Sequence, residues 1–397
     1  MMRPLFPNPP PPPRMPRDPG RAVLARRALQ ERLLETVRYL ADEIEVRRVG
    51  SLGEARAAGY IAGRLQHAEQ QATIISFGAG AGRMVVVMTL ILLGAAGGLL
   101  PVFLPHPLVA GIALVWLLVV SALLWNEIEG SSPVGQAILR RASQSVVGVR
   151  AAVASNRQAR FRVVLTASLD NAPQLPPRTA LLVVFEILAL LLLVTGWLLA
   201  TLFLPARWLL GIGSLSLVAV TYGIAASHRR QGPRPAVLGA GELAVLIGVA
   251  EELGELQQVE LWTVVVGGTS TGEAGMQRLL ERYPFGADTC FVNLHQMSDG
   301  QPVFVTREGL LRELRSDRRL IALAGRADAN DVTINAEPRQ LRQRTLAAAL
   351  LRRGYRAITI SSHPETARFT APDPHTLERC VRLIVGMIRG LDQEEAD

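Results

Sequence analysis

Lysine is absent from the 397-residue chain, so all 42 residues counted as Lys+Arg are arginines. The two cysteines, Cys290 and Cys380, cannot cross-link a chain of this length into a disulfide scaffold. Charged residues make up only 19% and hydrophobic residues 49%, a balance that excludes disorder for most of the chain. Aromatic residues are few, at 5%, and no nucleic-acid-binding module accompanies the net charge of +8, so we expect no nucleic-acid partner.

Four apolar stretches hold most of the hydrophobic residues, and each has the ~20 residues that a helix needs to cross a bilayer. They lie at 84–103, 108–125, 180–204 and 208–226, and Glu186 is the one formal charge within them. Buried core helices are the alternative, but such helices normally keep some polar face. The pattern predicts two transmembrane helical hairpins, at 84–126 and 179–227, and hence an integral membrane protein with the lipid bilayer as its partner.

Arginine is distributed unevenly around these stretches. Arg207 alone lies in a short turn, whereas six arginines flank the long connecting segments: Arg83, Arg140, Arg141, Arg178, Arg229 and Arg230. Because positive charge marks the cytoplasmic side, we expect both termini and the polar segments to be cytoplasmic. Within the spans, Gly94 and Gly98 have a spacing that permits close helix contact. Glu186 is a functional candidate, with an interaction with Arg178 or the lipid headgroups as the alternative.

The rest of the chain divides into a proline-rich tail at 1–20 and three polar segments at 21–83, 127–178 and 228–397. Helical and strand periodicities alternate through the last of these, which is typical of a sheet covered on both faces. We therefore predict one α/β domain with a mostly parallel mixed sheet, interrupted twice by the membrane hairpins. Within it we predict a β-hairpin from strands at 145–154 and 160–167, a further strand over 259–266, and a helix over 339–353.

Six segments, in chain order, resemble the sequence pattern of the co-catalytic di-zinc aminopeptidases, the group of bacterial leucyl aminopeptidase and the glutamate carboxypeptidase-like zinc exopeptidases. They read RVGSLGE at 48–54 with AAGYIAGRL at 57–65, SQSVV at 143–147, RVVLTASLD at 162–170, VVVGGTSTGEAG at 264–275, FVNLH at 291–295 and GYRAITISS at 354–362. The resemblance implies a three-layer zinc-exopeptidase-like fold. In active members it also implies two zinc ions that activate water for attack on a peptide bond.

Carried over by position, the resemblance implies that seven residues stand at or beside the places of the zinc ligands and the general base: Ser168, Asp170, Gly239, Thr269, Ser270, His295 and Phe369. Only Asp170 keeps the expected group. Ser168 and Phe369 replace histidines, and Thr269 with Ser270 replaces a pair of glutamates. Hydroxyl and phenyl groups are poor ligands for divalent zinc, so we expect no cofactor and no catalytic residue.

Two of these residues leave an alternative open. Asp170 and His295 could form a rebuilt metal site, although two ligands are one fewer than the usual catalytic three. Asp170 could instead cap a turn, and His295 could be a hydrogen-bonded histidine at a strand end. A serine hydrolase built on Ser168 or Ser270 would need a positioned base, and the sequence has no nucleophile elbow.

These observations predict a membrane-anchored, catalytically inactive, aminopeptidase-like protein that acts as a binding or scaffolding module at the cytoplasmic membrane face. Its ligand would be a peptide end, a lipid headgroup or a partner membrane protein. The alternative is a membrane-bound zinc metallopeptidase with an altered metal site. A channel or transporter has little support, because the four stretches offer no polar path. The strand order of the resembled fold also predicts that both hairpins leave the sheet at the edge that carries the former active site.

Overall fold

The computed structural model describes residues 19–44, 46–80, 83–104, 106–129, 141–153, 159–170, 239–309, 313–343, 345–363 and 372–394. The second predicted hairpin at 179–227, with Glu186, lies outside the described residues, as do Phe369 and residues 1–18 of the tail. The predictions for these parts of the chain stay predictions.

The described helices are α1 Pro19–Arg38, α2 Leu52–His67, α3 Arg83–Phe103, α4 Pro107–Glu129, α5 Ala240–Glu252, α6 Ala274–Arg282, α7 Arg318–Asn330, α8 Leu346–Arg352 and α9 Pro374–Gln393. The strands are β1 Gln71–Ala79, β2 Arg141–Arg150, β3 Phe161–Ser168, β4 Val259–Val266, β5 Thr289–His295, β6 Gln301–Glu308, β7 Leu314–Arg315, β8 Glu337–Leu341 and β9 Arg356–His363. A π-helical turn, Tyr39–Glu43, continues α1, and a 3-10 turn, Thr269–Thr271, follows β4.

All nine described strands join one mixed sheet in the order β1-β2-β4-β3-β5-β9-β6-β7, with β8 paired to β6. The central strands β4, β3, β5 and β9 run parallel. On the two sides, β2 is antiparallel to β4 and β6 is antiparallel to β9, while β8 at the β6 side runs parallel to β6. The mixed α/β sheet expected from the sequence is confirmed.

Helices cover both faces of this sheet, because alternate residues of the buried strands point to opposite sides. Leu165 of β3 belongs to a core that α1, α2, α5, α7 and α9 complete. Its neighbour Val164 belongs to a second core, on the face that α6 and α8 cover. The result is the three-layer arrangement of helices, sheet and helices.

Two local predictions are wrong. The strands predicted to form a β-hairpin, now β2 and β3, do not pair, because β4 lies between them and bonds to both. Sequence alternation identifies strands, but it does not identify a partner that comes from far along the chain. The helix predicted over 339–353 begins late, because β8 occupies Glu337–Leu341 and Thr345 caps the amide of Ala347 at the start of α8.

Helices α3 and α4 pack against each other at the position of the first predicted hairpin. Gly94 and Gly98 are buried, and the indole Nε1 of Trp116 donates a hydrogen bond to the carbonyl of Leu93 at 2.9 Å. Many large apolar side chains of the pair nevertheless stay exposed, Ile112 by 69%. In the described part of the chain, no helix is both long enough and apolar enough to span a membrane. The prediction of membrane-spanning helices at 84–126 is therefore unsupported there.

Candidate functional site

The carboxyl ends of three parallel strands bring most of the sequence-predicted residues to one edge of the sheet. Ser168 ends β3 and is paired in register with Val266 at the end of β4. Thr166 is paired with Asn293, so His295 at the end of β5 lies level with Ser168. The edge where open α/β sheets usually bind ligands therefore carries Ser168, Asp170, Gly239, Thr269, Ser270 and His295.

The carboxylate of Asp170 accepts hydrogen bonds from the loop that follows β4. Its Oδ1 accepts hydrogen bonds from the amide of Thr269 at 2.9 Å and from the Thr269 hydroxyl at 2.7 Å. Its Oδ2 accepts one from the amide of Ser270 at 2.8 Å, and the side chain is buried. The Ser168 hydroxyl lies 2.5 Å from that of Thr269. Asp170 thus caps the 3-10 turn, the structural alternative considered for it.

Glu242 is a buried carboxylate that the sequence reasoning did not include in the site. It lies in the first turn of α5, and the backbone amide of Gln296, just after β5, donates to it. The backbone of Ser168 also hydrogen-bonds to it, so Glu242 joins the ends of β3 and β5. Burial, opposed by these bonds and by the charge of Arg47, raises the pKa of Glu242 to about 7. A single carboxylate within the apolar run 240–250 is the one sequence signal that could have identified it.

Arg47 is the second residue that sequence reasoning missed. It is fully buried, its Nε donates to the carbonyl of Leu169 at 3.1 Å, and its Nη1 donates to the carbonyl of Leu40 at 3.1 Å. Burial lowers its pKa to about 10, opposed by the negative charges of Glu242 and Asp170, so the guanidinium stays charged at neutral pH.

Residues 46–53, which lead into α2 and include most of the resembled motif, place Arg47 at the carboxyl edge of the sheet. Its neighbour Arg48, the arginine of the resembled motif, is exposed. A Cβ atom at Gly53 would lie 2.2 Å from the carbonyl oxygen of Val46, so only glycine lets this segment pack on the first turn of α2. Burial alternates along this segment, with Arg47 buried and Val46 and Arg48 exposed.

Glu54 ties the same motif to β2. Its carboxylate accepts hydrogen bonds from the hydroxyl of Ser143 at 2.6 Å and from the amide of Gly50 at 2.6 Å. The Ser51 hydroxyl accepts from the Glu54 amide at 3.2 Å and so caps the start of α2. Burial, the largest influence, raises the pKa of Glu54 above its usual value. Glu54 is thereby a structural residue of the motif.

His295 is also held by other side chains. It is buried, and its Nε2 lies 3.1 Å from the amide nitrogen of Gln343, which in turn donates to Oε1 of Gln296 at 2.9 Å. Burial lowers the pKa of His295 to about 4, so the imidazole is neutral at pH 7. This is the hydrogen-bonded strand-end histidine that the sequence left as an alternative.

The described residues do not fit the two zinc ions that the resemblance associates with this edge. Both carboxylate oxygens of Asp170 are already acceptors, and Nε2 of His295 faces an amide. Among the parts of the chain that the structure describes, no group of three or more histidine, cysteine or acidic side chains is placed to hold a metal ion. A site rebuilt from Asp170 and His295 alone would lack a third ligand.

The first helical hairpin begins beside this edge. Ala79 at the end of β1 is paired with Arg141 at the start of β2, so the chain leaves and re-enters the sheet at one place. A Cβ atom at Gly268, next to Thr269, would lie 3.3 Å from the Cβ of Ala79 and 3.3 Å from the ring of Phe77. The strand that precedes α3 along the chain therefore ends next to Gly268 of the candidate site, at the edge where the sequence predicts the first hairpin to leave the sheet.

Comparison with known proteins supports the fold alone. No family model matches the chain, and no curated protein matches it significantly. Among solved structures, a zinc aminopeptidase from Bacillus subtilis is similar with a TM-score of 0.54 and 10% identity, covering 93% of this chain and 96% of that one. An aminopeptidase from Aneurinibacillus sp. strain AM-1 is similar with a TM-score of 0.51 and 10% identity, covering 90% and 93%. The domain has the zinc-aminopeptidase-like fold.

Proposed function

We propose that this chain uses a zinc-aminopeptidase-like fold without peptidase chemistry, as a binding or scaffolding module held at a membrane. One observation carries the proposal: the groups at the carboxyl edge of the sheet are hydrogen-bonded to one another. Asp170 holds the 269–270 loop through both carboxylate oxygens, and His295 contacts Gln343. Among the described residues, this edge offers neither free ligands for zinc nor a free general base, and without them the activated water that peptide hydrolysis needs is not formed.

The activity test uses the full chain purified in detergent. We expect no hydrolysis of leucine aminomethylcoumarin above the background of a blank, with or without added zinc. We also expect no stoichiometric zinc by plasma mass spectrometry. The alternative, a zinc metallopeptidase with an altered site, requires hydrolysis together with bound zinc. That zinc would have to be lost in Asp170→Asn and His295→Ala variants, and this outcome would replace our proposal.

Membrane association is the second part of the proposal, and the exposed apolar side chains of the α3–α4 hairpin support it. Leu108, Ile112 and Val115 are exposed by 71%, 69% and 61%, a concentration of apolar surface that a protein surrounded by water rarely keeps. Lipid is the proposed partner of these side chains. The arginines near the ends of the hairpin favour an orientation with the α/β domain on the cytoplasmic side.

A fluorescent label can test this contact directly. A bimane attached at Ile112→Cys in reconstituted vesicles should be quenched by brominated lipid and protected from aqueous iodide. The matched control is Val332→Cys, because Val332 is an apolar residue of the α/β domain that is 81% exposed. We expect the control label to show the reverse pattern. Equal iodide quenching at both positions would contradict membrane association of the hairpin.

A further inference from the structure

The candidate site contains a positive charge that belongs to the protein itself. Arg47 is fully buried and donates from two nitrogens, to the carbonyl of Leu169 between Ser168 and Asp170, and to that of Leu40 after α1. Its third nitrogen also faces the site, because a Cβ atom at Gly239 would lie 3.4 Å from Nη2. Arg47 therefore connects the α1 region, the end of β3 and the start of α5.

Two buried carboxylates are arranged around the same place. Asp170 is one residue beyond the carbonyl that Arg47 binds, and Glu242 is three residues beyond Gly239 on α5. Both are at least 94% buried, since Asp170 is 5% and Glu242 6% exposed. Buried carboxylates need a positive charge or several hydrogen bonds, because leaving an ion in the protein interior is strongly unfavourable.

We infer that Arg47 is the resident cation of this edge, supplying from within the chain the positive charge that bound metal supplies in a zinc peptidase. This inference rests on the proposed non-catalytic function and deepens it, because an edge with its own cation keeps one conformation whether or not metal is available. A guanidinium suits this role because its planar donors bind carbonyl and carboxylate oxygens in fixed directions. Arg47 is a positioning residue here, because it acts through the backbone carbonyls of Leu169 and Leu40.

The experiment compares Arg47→Ala with the adjacent Arg48→Ala, because Arg48 carries the same charge but is exposed. In detergent, we expect Arg47→Ala to melt roughly 5 °C or more below the wild type, since it leaves buried carboxylates without their counter-ion. Arg48→Ala should melt like the wild type. Guanidinium chloride at about 20 mM, far below the molar concentrations that unfold proteins, should raise the melting temperature of Arg47→Ala only.

Two further measurements separate a resident cation from an ordinary buried side chain. Arg47→Lys should melt between the wild type and Arg47→Ala, because it keeps the charge and loses the fixed donor geometry. If Arg47→Ala does not fold, Arg47→Lys replaces it in the comparison with Arg48→Ala. The wild type should melt at the same temperature with zinc or with a chelator. A wild type that zinc stabilises would overturn the inference, as would an Arg47→Ala variant that melts like Arg48→Ala or gains nothing from guanidinium.

Failure of this inference is distinguishable from failure of the proposed function. Peptide hydrolysis by the wild type contradicts the proposed function directly. An inactive wild type whose Arg47→Ala variant shows no selective rescue contradicts only the role of Arg47.

Discussion

Thr269 donates both its backbone amide and its hydroxyl to one carboxylate oxygen of Asp170, at 2.9 and 2.7 Å. By the sequence resemblance, the first of these residues stands where a glutamate is expected and the second where a zinc ligand is kept. In this chain the two residues are hydrogen-bonded to each other. Two residues at positions that the resemblance associates with zinc chemistry here fix the loop after β4 to the end of β3.

Replacing Asp170 by asparagine should destabilise the domain, because a side-chain amide cannot accept from both backbone amides and would turn its NH2 group toward one of them. We expect a loss of about 1–3 kcal/mol in the free energy of unfolding, the range for a buried donor left without an acceptor. Denaturant titration followed by circular dichroism measures it. Asp288→Asn is the control, because Asp288 is exposed. Equal stability of the two variants would show that the Asp170 bonds do not hold the loop.

Glu242 predicts a specific dependence of stability on pH. Burial raises its pKa from 4.5 to about 7 in the folded state, so the folded chain holds the proton more tightly. The stabilisation is therefore complete below about pH 4.5 and is lost as the pH rises through 7. His295, with its pKa lowered to about 4, acts in the opposite direction because its stabilisation is lost as the pH falls from 6.5 toward 4.

Comparison of the wild type with Glu242→Gln isolates the first effect, because both proteins retain His295. Relative to the wild type, the variant should become more stable by about 1–3 kcal/mol between pH 4.5 and pH 8. Denaturant unfolding at fixed pH values measures this difference. Glu255→Gln, at an exposed position, should show no such trend. A difference that does not change with pH would mean that Glu242 titrates alike in the folded and unfolded chain.

Helices and strands could be predicted from the sequence where the local pattern of residue types determines them. The strand expected at 259–266 is β4 with the same bounds, because its alternation and β-branched residues act locally. The site could be predicted only in part. Asp170, Thr269 and Ser270 come together because they follow adjacent strands, whereas Arg47 and Glu242 enter from elements that are distant along the chain. No local pattern indicates that Arg47, rather than Val46, turns inward.

The α3–α4 contact depends on the small size of Gly97. A Cβ atom at this position would lie 2.2 Å from Cδ1 of Trp116, and the rigid indole would have to move. We expect Gly97→Ala to separate the helices locally and to break the bond from Trp116 to the carbonyl of Leu93. In a chain whose other tryptophans are phenylalanine, the emission of Trp116 should then shift. Gly111→Ala on α4 is the matched control, because nothing lies within 4 Å of its added Cβ; equal spectra for the two variants would contradict the contact.

Gln343 covers His295, and removing this cover should let water reach the imidazole. Burial is the cause of the low pKa of about 4, so Gln343→Ala should raise the pKa of His295 toward its usual value near 6.5. Histidine ring signals followed by NMR across pH 3–8 measure the shift, and their absence in His295→Gln assigns them. Gln340→Ala provides the control, because Gln340 is exposed on β8 and lies in the same connection. An unchanged pKa of His295 in Gln343→Ala would mean that the surrounding strands, rather than Gln343, shield the imidazole from water. A raised pKa would identify Gln343, in the connection between β8 and α8, as the residue that shields His295 at the carboxyl edge of the sheet.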